Sequence, residues 1–98
     1  MAAYLIQFSF TQKGMEQIRE SPARVASAKE TIRRNGGEVK AFYAIMGGQY
    51  DTMFIIEAPN DGKVAEMVLS IARFGNVRTQ THRLFSEDEY ATIISSLP

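Results

Sequence analysis

Hydrophobic and polar positions alternate with a period of two in four segments of the chain, which predicts four β-strands. The strands are expected at Tyr4–Phe10, Glu38–Met46, Asp51–Ala58 and Asn76–Leu84. The third is so apolar that both of its faces are expected to be covered. Neither face of the fourth is apolar, which favours an edge position. The alternation within the second strand predicts one shared face for Val39, Ala41, Tyr43 and Ile45.

Hydrophobic residues three or four positions apart predict a first long helix after residue 20. Ser21 is its expected N-cap, and Pro22 suits the first turn because its missing N–H has no partner there. A short helical turn capped by Thr11 precedes this helix. Gly36-Gly37 is expected to end it, since the residue after a helix is often a left-handed glycine.

Two further helices follow from the same spacing and from their start signals. Asn60 or Asp61 is the expected cap of the second, which should stop at Gly75. Ser86 and Glu89 have the spacing of a capping box at the start of the last. The predicted order is therefore β-α-β-β-α-β plus a C-terminal helix, an α+β ferredoxin-like sandwich formed by a single domain over residues 1–98.

Two helices can cover only one face of a four-stranded sheet. The residues expected on the other face include Leu5, Gln7, Met53 and Ile55, which are too apolar as a group to remain in water. A second copy packed sheet to sheet, giving a homodimer, is the favoured solution. The alternative is that the C-terminal helix folds back over its own sheet.

The composition excludes several kinds of chemistry. The chain has no cysteine, which excludes disulfides, thiolate catalysis and metal sites built on sulfur. Eleven basic residues balance eleven acidic ones, so no net charge attracts nucleic acid or a membrane. No apolar run approaches the roughly 20 residues that span a bilayer. We expect a cytoplasmic protein without a metal or cofactor and without nucleic-acid or membrane partners.

The segment MGGQYD, residues 46–51, lies between the second and third strands and has two readings. In the structural one, Gly47 and Gly48 supply positive φ angles for a hairpin, and the Asp51 carboxylate accepts a backbone N–H in or beside the turn. In the functional one, Tyr50 and Asp51 face a cavity as hydrogen-bond donor and general base. The structural reading is favoured, because turn residues with mechanical roles outnumber catalytic ones.

The fourth strand carries His82, the only histidine and the only side chain that titrates near neutral pH without perturbation. A single histidine without cysteine does not make a metal site by any spacing rule. His82 is therefore either an ordinary strand residue or part of a polar cavity wall. With Asp51 and Tyr50 it completes the set of catalytic candidates.

The chain resembles the GYD domain family in several separate motifs. Gly48-Gln49-Tyr50-Asp51 precedes an apolar strand, EAPND opens a helix, and GNVRTQTHRLFSEDE follows, with YLIQFSFTQKG and SPAR earlier in the chain. Gln80 departs from a frequent threonine of the family. The resemblance covers nearly the whole chain and implies a dimeric α+β barrel around a cavity. It implies little about activity, because this fold serves oxygenases, isomerases and ligand binders alike.

Two functions remain open from the sequence. The favoured one is binding of a small, largely apolar molecule in a cavity beside the sheet, and the alternative is a cofactor-independent oxygenase or isomerase in the same cavity. The ligand-binding candidates are Gln7, Tyr43, Tyr50, Arg78 and His82. RNA binding is rejected despite the shared strand order, because Thr52 and Ile55 stand where an RNA-recognition motif needs stacking aromatic residues.

Overall fold

The computed structural model describes residues 1–98 and has the predicted ferredoxin-like fold. Its strands are β1 (Ala2–Phe10), β2 (Glu38–Ala44), β3 (Thr52–Ala58) and β4 (Val77–Leu84). They form one antiparallel sheet in the order β2-β3-β1-β4. The apolar β3 is thus central and the polar β4 lies at an edge, as their patterns predict.

The helices begin close to the residues that the capping signals indicate. They are α1 (Gln12–Glu16), a 3₁₀ turn (Ile18–Glu20), α2 (Ser21–Arg34), α3 (Asp61–Ala72) and α4 (Glu87–Ser95). Thr11 accepts a hydrogen bond from the Gly14 amide, and Asn60 accepts one from the Lys63 amide. Ser86 and Glu89 form the complete capping box at the start of α4.

The start of α2 differs from the predicted one. Ser21 is already the first helical residue, and Glu20 occupies the N-cap position without a side-chain bond to the helix. The cause is the preceding 3₁₀ turn, because the Ile18 carbonyl accepts the Ser21 N–H. A backbone group thus takes the place of the expected serine cap.

The core lies on the sheet face that α2 and α3 cover, which we call the helix face. Tyr4, Ile6 and Phe8 of β1 alternate onto this face and are almost fully buried. Phe54 lies at its centre, with its ring 5.5 Å from the Phe8 ring in a T-shaped arrangement. From the helices, the buried members of the same cluster are Ala28, Ile32, Val64 and Met67.

A register shift in β2 overturns the expectation that Val39, Ala41, Tyr43 and Ile45 share one face. The shift falls between Val39 and Ala41, so Val39 lies opposite Ile56 and packs against the core. Ala41 and Tyr43 lie opposite Ile55 and Met53, on the other side of the sheet. One extra residue at a bulge reverses the faces of all that follow, and sequence alternation alone does not reveal it.

The last helix, α4, does not pack over the sheet face that α2 and α3 leave open. Every residue of α4 is exposed, and the molecule extends to 51 × 30 × 18 Å. This arrangement contradicts the alternative in which the C-terminal helix folds back over its own sheet. None of the helices has the length and apolar character required to cross a membrane.

Candidate functional site

The sheet face turned away from α2 and α3, here called the outer face, has an apolar centre. Two cross-strand rows form its middle: Tyr43, Met53, Gln7 and Gln80 in one, and Ala41, Ile55, Leu5 and His82 in the next. Leu5, Met53 and Ile55 are only half-buried, and Tyr43 is 62% exposed. The polar residues of these rows lie mainly on β4, at one edge of the apolar centre.

The structure places four of the five predicted ligand-binding residues on this outer face. His82 Nε2 lies 3.2 Å from Gln7 Oε1, and Arg78 is on the same side of β4, paired with Ser9. Tyr43 lies across the sheet from them, beyond Met53. Their ligand-binding role stays a prediction, since Gln7, Arg78 and His82 form a polar margin to an open surface rather than an enclosed pocket.

The MGGQYD segment is tied to β1 by its aspartate. Asp51 Oδ2 accepts the Phe10 amide at 2.8 Å, and the Asp51 amide donates to the Phe8 carbonyl at 2.8 Å. Gly47 and Gly48 have φ angles of 82° and 89°, which suit glycine far better than other residues. The expected bond between Asp51 and a main-chain N–H is therefore present, but its donor is on the neighbouring strand rather than in the turn.

The three catalytic candidates do not meet within the chain. Asp51 is bonded at the Phe10 end of β1, whereas His82 pairs with Leu5. Five residues of strand separate these positions, roughly 16 Å along β1. Tyr50 is half-buried beside Asp51, and its hydroxyl forms no hydrogen bond within the chain. General acid–base catalysis requires groups within hydrogen-bond reach of one reacting atom, and these positions do not supply them.

A cavity of about 420 Å³ opens on the helix face, between the sheet, α2 and the end of α3. Its floor is aromatic, with Phe8, Phe42 and Phe54 in contact; the Phe42 and Phe54 ring centres are 5.4 Å apart. Val25 and Ile71 belong to its walls. This volume lies in the range of small-molecule sites, which are mostly apolar with a few polar groups.

One polar residue of the cavity floor is unusual. Thr52 is 9% exposed, and its hydroxyl forms no hydrogen bond within the chain. No side-chain polar atom in the structure is both sealed from solvent and without a partner. The Thr52 hydroxyl therefore keeps some contact with solvent, and Thr52 lines the cavity, where a hydroxyl can serve a bound molecule as donor and acceptor.

The rim of the cavity is charged. Lys13, Arg24 and Glu20 line it, and no ion pair involves any of them. Lys13 Nζ donates to the Phe74 carbonyl at 2.7 Å, and the Arg24 guanidinium donates to the Gly14 and Gln17 carbonyls at 3.1 and 2.9 Å. These carbonyls are neutral, so neither cation is paired with a carboxylate, and with Glu20 the lining carries a net charge of +1. None of the site residues predicted from the sequence lines this cavity.

A second, shallower cavity of about 330 Å³ lies between α3 and the β1–β4 pair. The Tyr4 hydroxyl donates to the Asp61 carboxylate there. That hydrogen bond and the burial of the ring raise the pKa of Tyr4 above its ordinary 10.0. The Arg83 guanidinium lies 5.7 Å from the centre of the Tyr4 ring and binds Glu89 of α4 at 3.2 Å. These contacts connect four elements, β1, α3, β4 and α4, and have a structural role.

Sequence reasoning missed the cavity-lining residues because they come from distant segments. Lys13 and Arg24 are ordinary helix residues by pattern, and Thr52 is one polar residue at the start of an apolar strand. Thr52 did carry a weak signal, since it falls on the buried side of the alternation in β3. No group of three or more metal-ligating side chains lies close enough together to hold a metal ion.

The comparisons with known proteins identify relatives in sequence and in fold. A Thermus thermophilus protein described as a glutamine synthetase and cystathionine β-lyase binding protein is 30% identical over 82 residues, which are 83% of this chain and 85% of that protein. The crystal structure of the Mycobacterium tuberculosis leucine response regulatory protein superposes with a TM-score of 0.63 at 18% identity, over 87% of this chain and 51% of the regulator. This chain spans about half of the regulator, and the similarity shows the ferredoxin-like fold alone.

The family model for the GYD domain matches residues 4–94. The match includes the Gly48-to-Asp51 segment, β1 from Tyr4, the other three strands and α4 up to Ile94. On this match the chain belongs to the GYD domain family.

Proposed function

We propose that this protein is a homodimeric binding protein that holds a small, largely apolar molecule in the cavity between its sheet and helices. The observation that carries the proposal is the 420 Å³ cavity with its aromatic floor. The alternative of an oxygenase or isomerase requires an acid or base on the cavity wall. Asp51, Tyr50 and His82 do not line it, and its charged residues stand at the rim. The cavity is suited to holding a molecule more than to transforming it.

The dimer is proposed from the outer face. Leu5, Met53 and Ile55 form an apolar centre on the two middle strands, with no helix over it. A second copy packed sheet to sheet about 10 Å away would cover both apolar centres at once. Such a pair of sheets would form the dimeric α+β barrel that the GYD resemblance implies.

Sedimentation of the protein at micromolar concentration tests the dimer. We expect about twice the chain mass of 11.0 kDa. Leu5→Arg places a charge at the centre of the outer face and should give a folded monomer. Leu69→Arg is the matched control, because Leu69 is 68% exposed on α3, and it should remain dimeric. A wild-type protein that is folded and monomeric would refute the dimer.

Crystals of the protein grown with a small apolar compound test the cavity. We expect ordered density over the Phe8, Phe42 and Phe54 floor. Ser27→Trp should abolish it, because Ser27 is exposed on α2 and lines the cavity, so that an indole there would fill the entrance. Density confined to the outer face would contradict the cavity as the ligand site.

A second candidate function is binding of a metabolic enzyme, favoured by the description of the Thermus relative. The exposed α4 offers a surface for it, since Tyr90, Ile93 and Ile94 form an exposed apolar stripe at helical spacing. Such a partner would be met in the cytoplasm, where we expect the protein to work.

Surface plasmon resonance with purified glutamine synthetase and cystathionine β-lyase of the same organism tests this candidate. Ile94→Asp should weaken binding at least about tenfold, since charge is unfavourable at an apolar contact. Ser95→Asp, the control at the adjacent exposed position, should not. If neither enzyme binds the wild type, the candidate fails for these two partners.

A further inference from the structure

We infer that the natural ligand of the helix-face cavity is an apolar carboxylate, with its hydrocarbon body on the aromatic floor and its single negative charge at the Lys13–Arg24 rim. This inference rests on the proposed function, since it requires that the cavity hold an apolar molecule. It adds the charge of that molecule and the residues that recognise it.

The first support is the number of donors left free at the rim. An ammonium group has three donors and a guanidinium has five. Lys13 uses one on the Phe74 carbonyl, and Arg24 uses two on the Gly14 and Gln17 carbonyls. These bonds fix the direction of both side chains at the cavity and leave donors available. A fixed cation loses less conformational freedom when it binds a ligand.

The second support is the net charge of the rim. Lys13 and Arg24 contribute two positive charges, and Glu20, the N-cap residue of α2, contributes one negative charge. The lining therefore carries a net charge of +1. This charge suits a monoanion better than a phosphate dianion.

The third support is the contrast between rim and floor. The floor presents Phe8, Phe42 and Phe54, and its free polar group is the Thr52 hydroxyl. A highly polar ligand would lose its hydration there without replacement hydrogen bonds. A molecule with a charged head and a largely apolar body matches both regions.

A close approach of α1 to the chain before β4 keeps the rim in place. A Cβ atom on Gly14 would lie 2.1 Å from the Asn76 carbonyl oxygen, so only glycine fits there. Gly14 also supplies a carbonyl that holds Arg24. The rim is therefore formed by packed backbone segments rather than by a free surface loop.

Calorimetric titration of the wild-type protein with octanoate, octan-1-ol and octylamine tests the inference. These probes share one body and differ in the head group. We expect octanoate to bind at least about tenfold more tightly than either of the others, which corresponds to about 1.4 kcal/mol. The octanoate affinity should fall between about 0.05 and about 0.5 M NaCl, while that of octan-1-ol should not.

Charge-neutral variants locate the recognition. Lys13→Gln with Arg24→Gln should abolish the preference for octanoate, so that this variant binds octanoate and octan-1-ol with equal affinity. Lys29→Gln is the control, because Lys29 is on the same helix as Arg24 but outside the cavity, and it should bind like the wild type. The salt series on the unmodified protein gives an independent answer if the double variant does not fold.

The possible outcomes distinguish a failure of the carboxylate inference from a failure of the proposed cavity site. Equal affinity for all three probes, each abolished by Ser27→Trp, would overturn the carboxylate inference and leave the apolar cavity site intact. No binding of any probe to the wild type would overturn both. Octanoate binding that is insensitive to Ser27→Trp would place the anion elsewhere and refute the site.

Discussion

The two faces of the central strand β3 have similar residues and opposite surroundings. On the helix face Phe54 and Ile56 are 1% and 0% exposed, whereas on the outer face Met53 and Ile55 are half-buried. A strand with one solvated face ordinarily alternates apolar with polar residues. Here both sides are apolar, so the difference lies in what covers them. This uncovered apolar surface is the basis on which the dimer is proposed.

The largest expected effect separates the two faces directly. Ile56→Ala should lower the free energy of unfolding by about 2–5 kcal/mol at every protein concentration, because it leaves a cavity in the core. Ile55→Ala, the same change at the next residue, should cost under about 1 kcal/mol in dilute protein. In the proposed dimer its cost should grow as concentration rises. Urea unfolding at two concentrations measures this, and equal, concentration-independent losses would refute the comparison.

A smaller effect is expected where the hairpin meets β1. Asp51→Ala should cost about 1–3 kcal/mol, because it leaves the Phe10 amide without its acceptor. Asp51→Asn keeps an oxygen acceptor and should cost less, since only the charge assistance is lost. Neither should change binding in the cavity, which Asp51 does not line. Loss of ligand binding with unchanged stability in Asp51→Asn would support the functional interpretation instead.

A polar contact on the helix face should have a pH signature. Tyr4→Phe removes the hydrogen bond to Asp61 and should cost about 1.5 kcal/mol at neutral pH. Because that bond raises the pKa of Tyr4 above 10.0, its stabilisation is complete below pH 10 and is lost as pH rises through the raised value. Thermal unfolding between pH 8 and about pH 11 should show the two proteins converging. A difference in stability between the wild type and Tyr4→Phe that stays constant across this pH range would contradict the prediction.

The smallest effect is expected in α4, which packs on neither face. Ser86→Ala should cost about 1 kcal/mol of helix stability by leaving N-terminal amides uncapped. The loss should appear as reduced α4 helicity, measured by amide hydrogen exchange, and not as a lower midpoint of global unfolding. The Ser86 amide lowers the pKa of Glu89, and Arg83 adds to this. The hydrogen bonds to the Glu89 carboxylate therefore stabilise α4 at pH values above 4.5, the ordinary pKa of a glutamate. This stabilisation is lost as the pH falls below that value and the carboxylate is protonated.

A shift of the global midpoint in Ser86→Ala would mean that α4 packs against something in solution. Ile93→Ala and Ile94→Ala distinguish the cases. Both residues are more than two-fifths exposed, so each change should cost little in an isolated protomer. A cost of about 2–5 kcal/mol would place them in a buried contact.

The sequence by itself determined the element order, the edge position of β4 and the N-cap residues of most helices. These features depend on neighbouring residues: Thr11, Asn60 and Ser86 cap helices through amides three positions away. Local spacing expresses such contacts directly. A hydrogen bond from a main-chain N–H to the Asp51 carboxylate was also expected from residue type, because aspartate near a turn readily accepts one.

Only the tertiary structure decided which residues meet across the fold. The bulge after Val39 moved Tyr43 to the outer face, and β1 rather than the turn supplied the donor for Asp51. The cavity joins Lys13, Arg24 and Thr52 from three segments that no short-range pattern connects. Periodicity assigns a residue to a face of its own element, but a site requires the docking of several elements, and that docking depends on long-range packing.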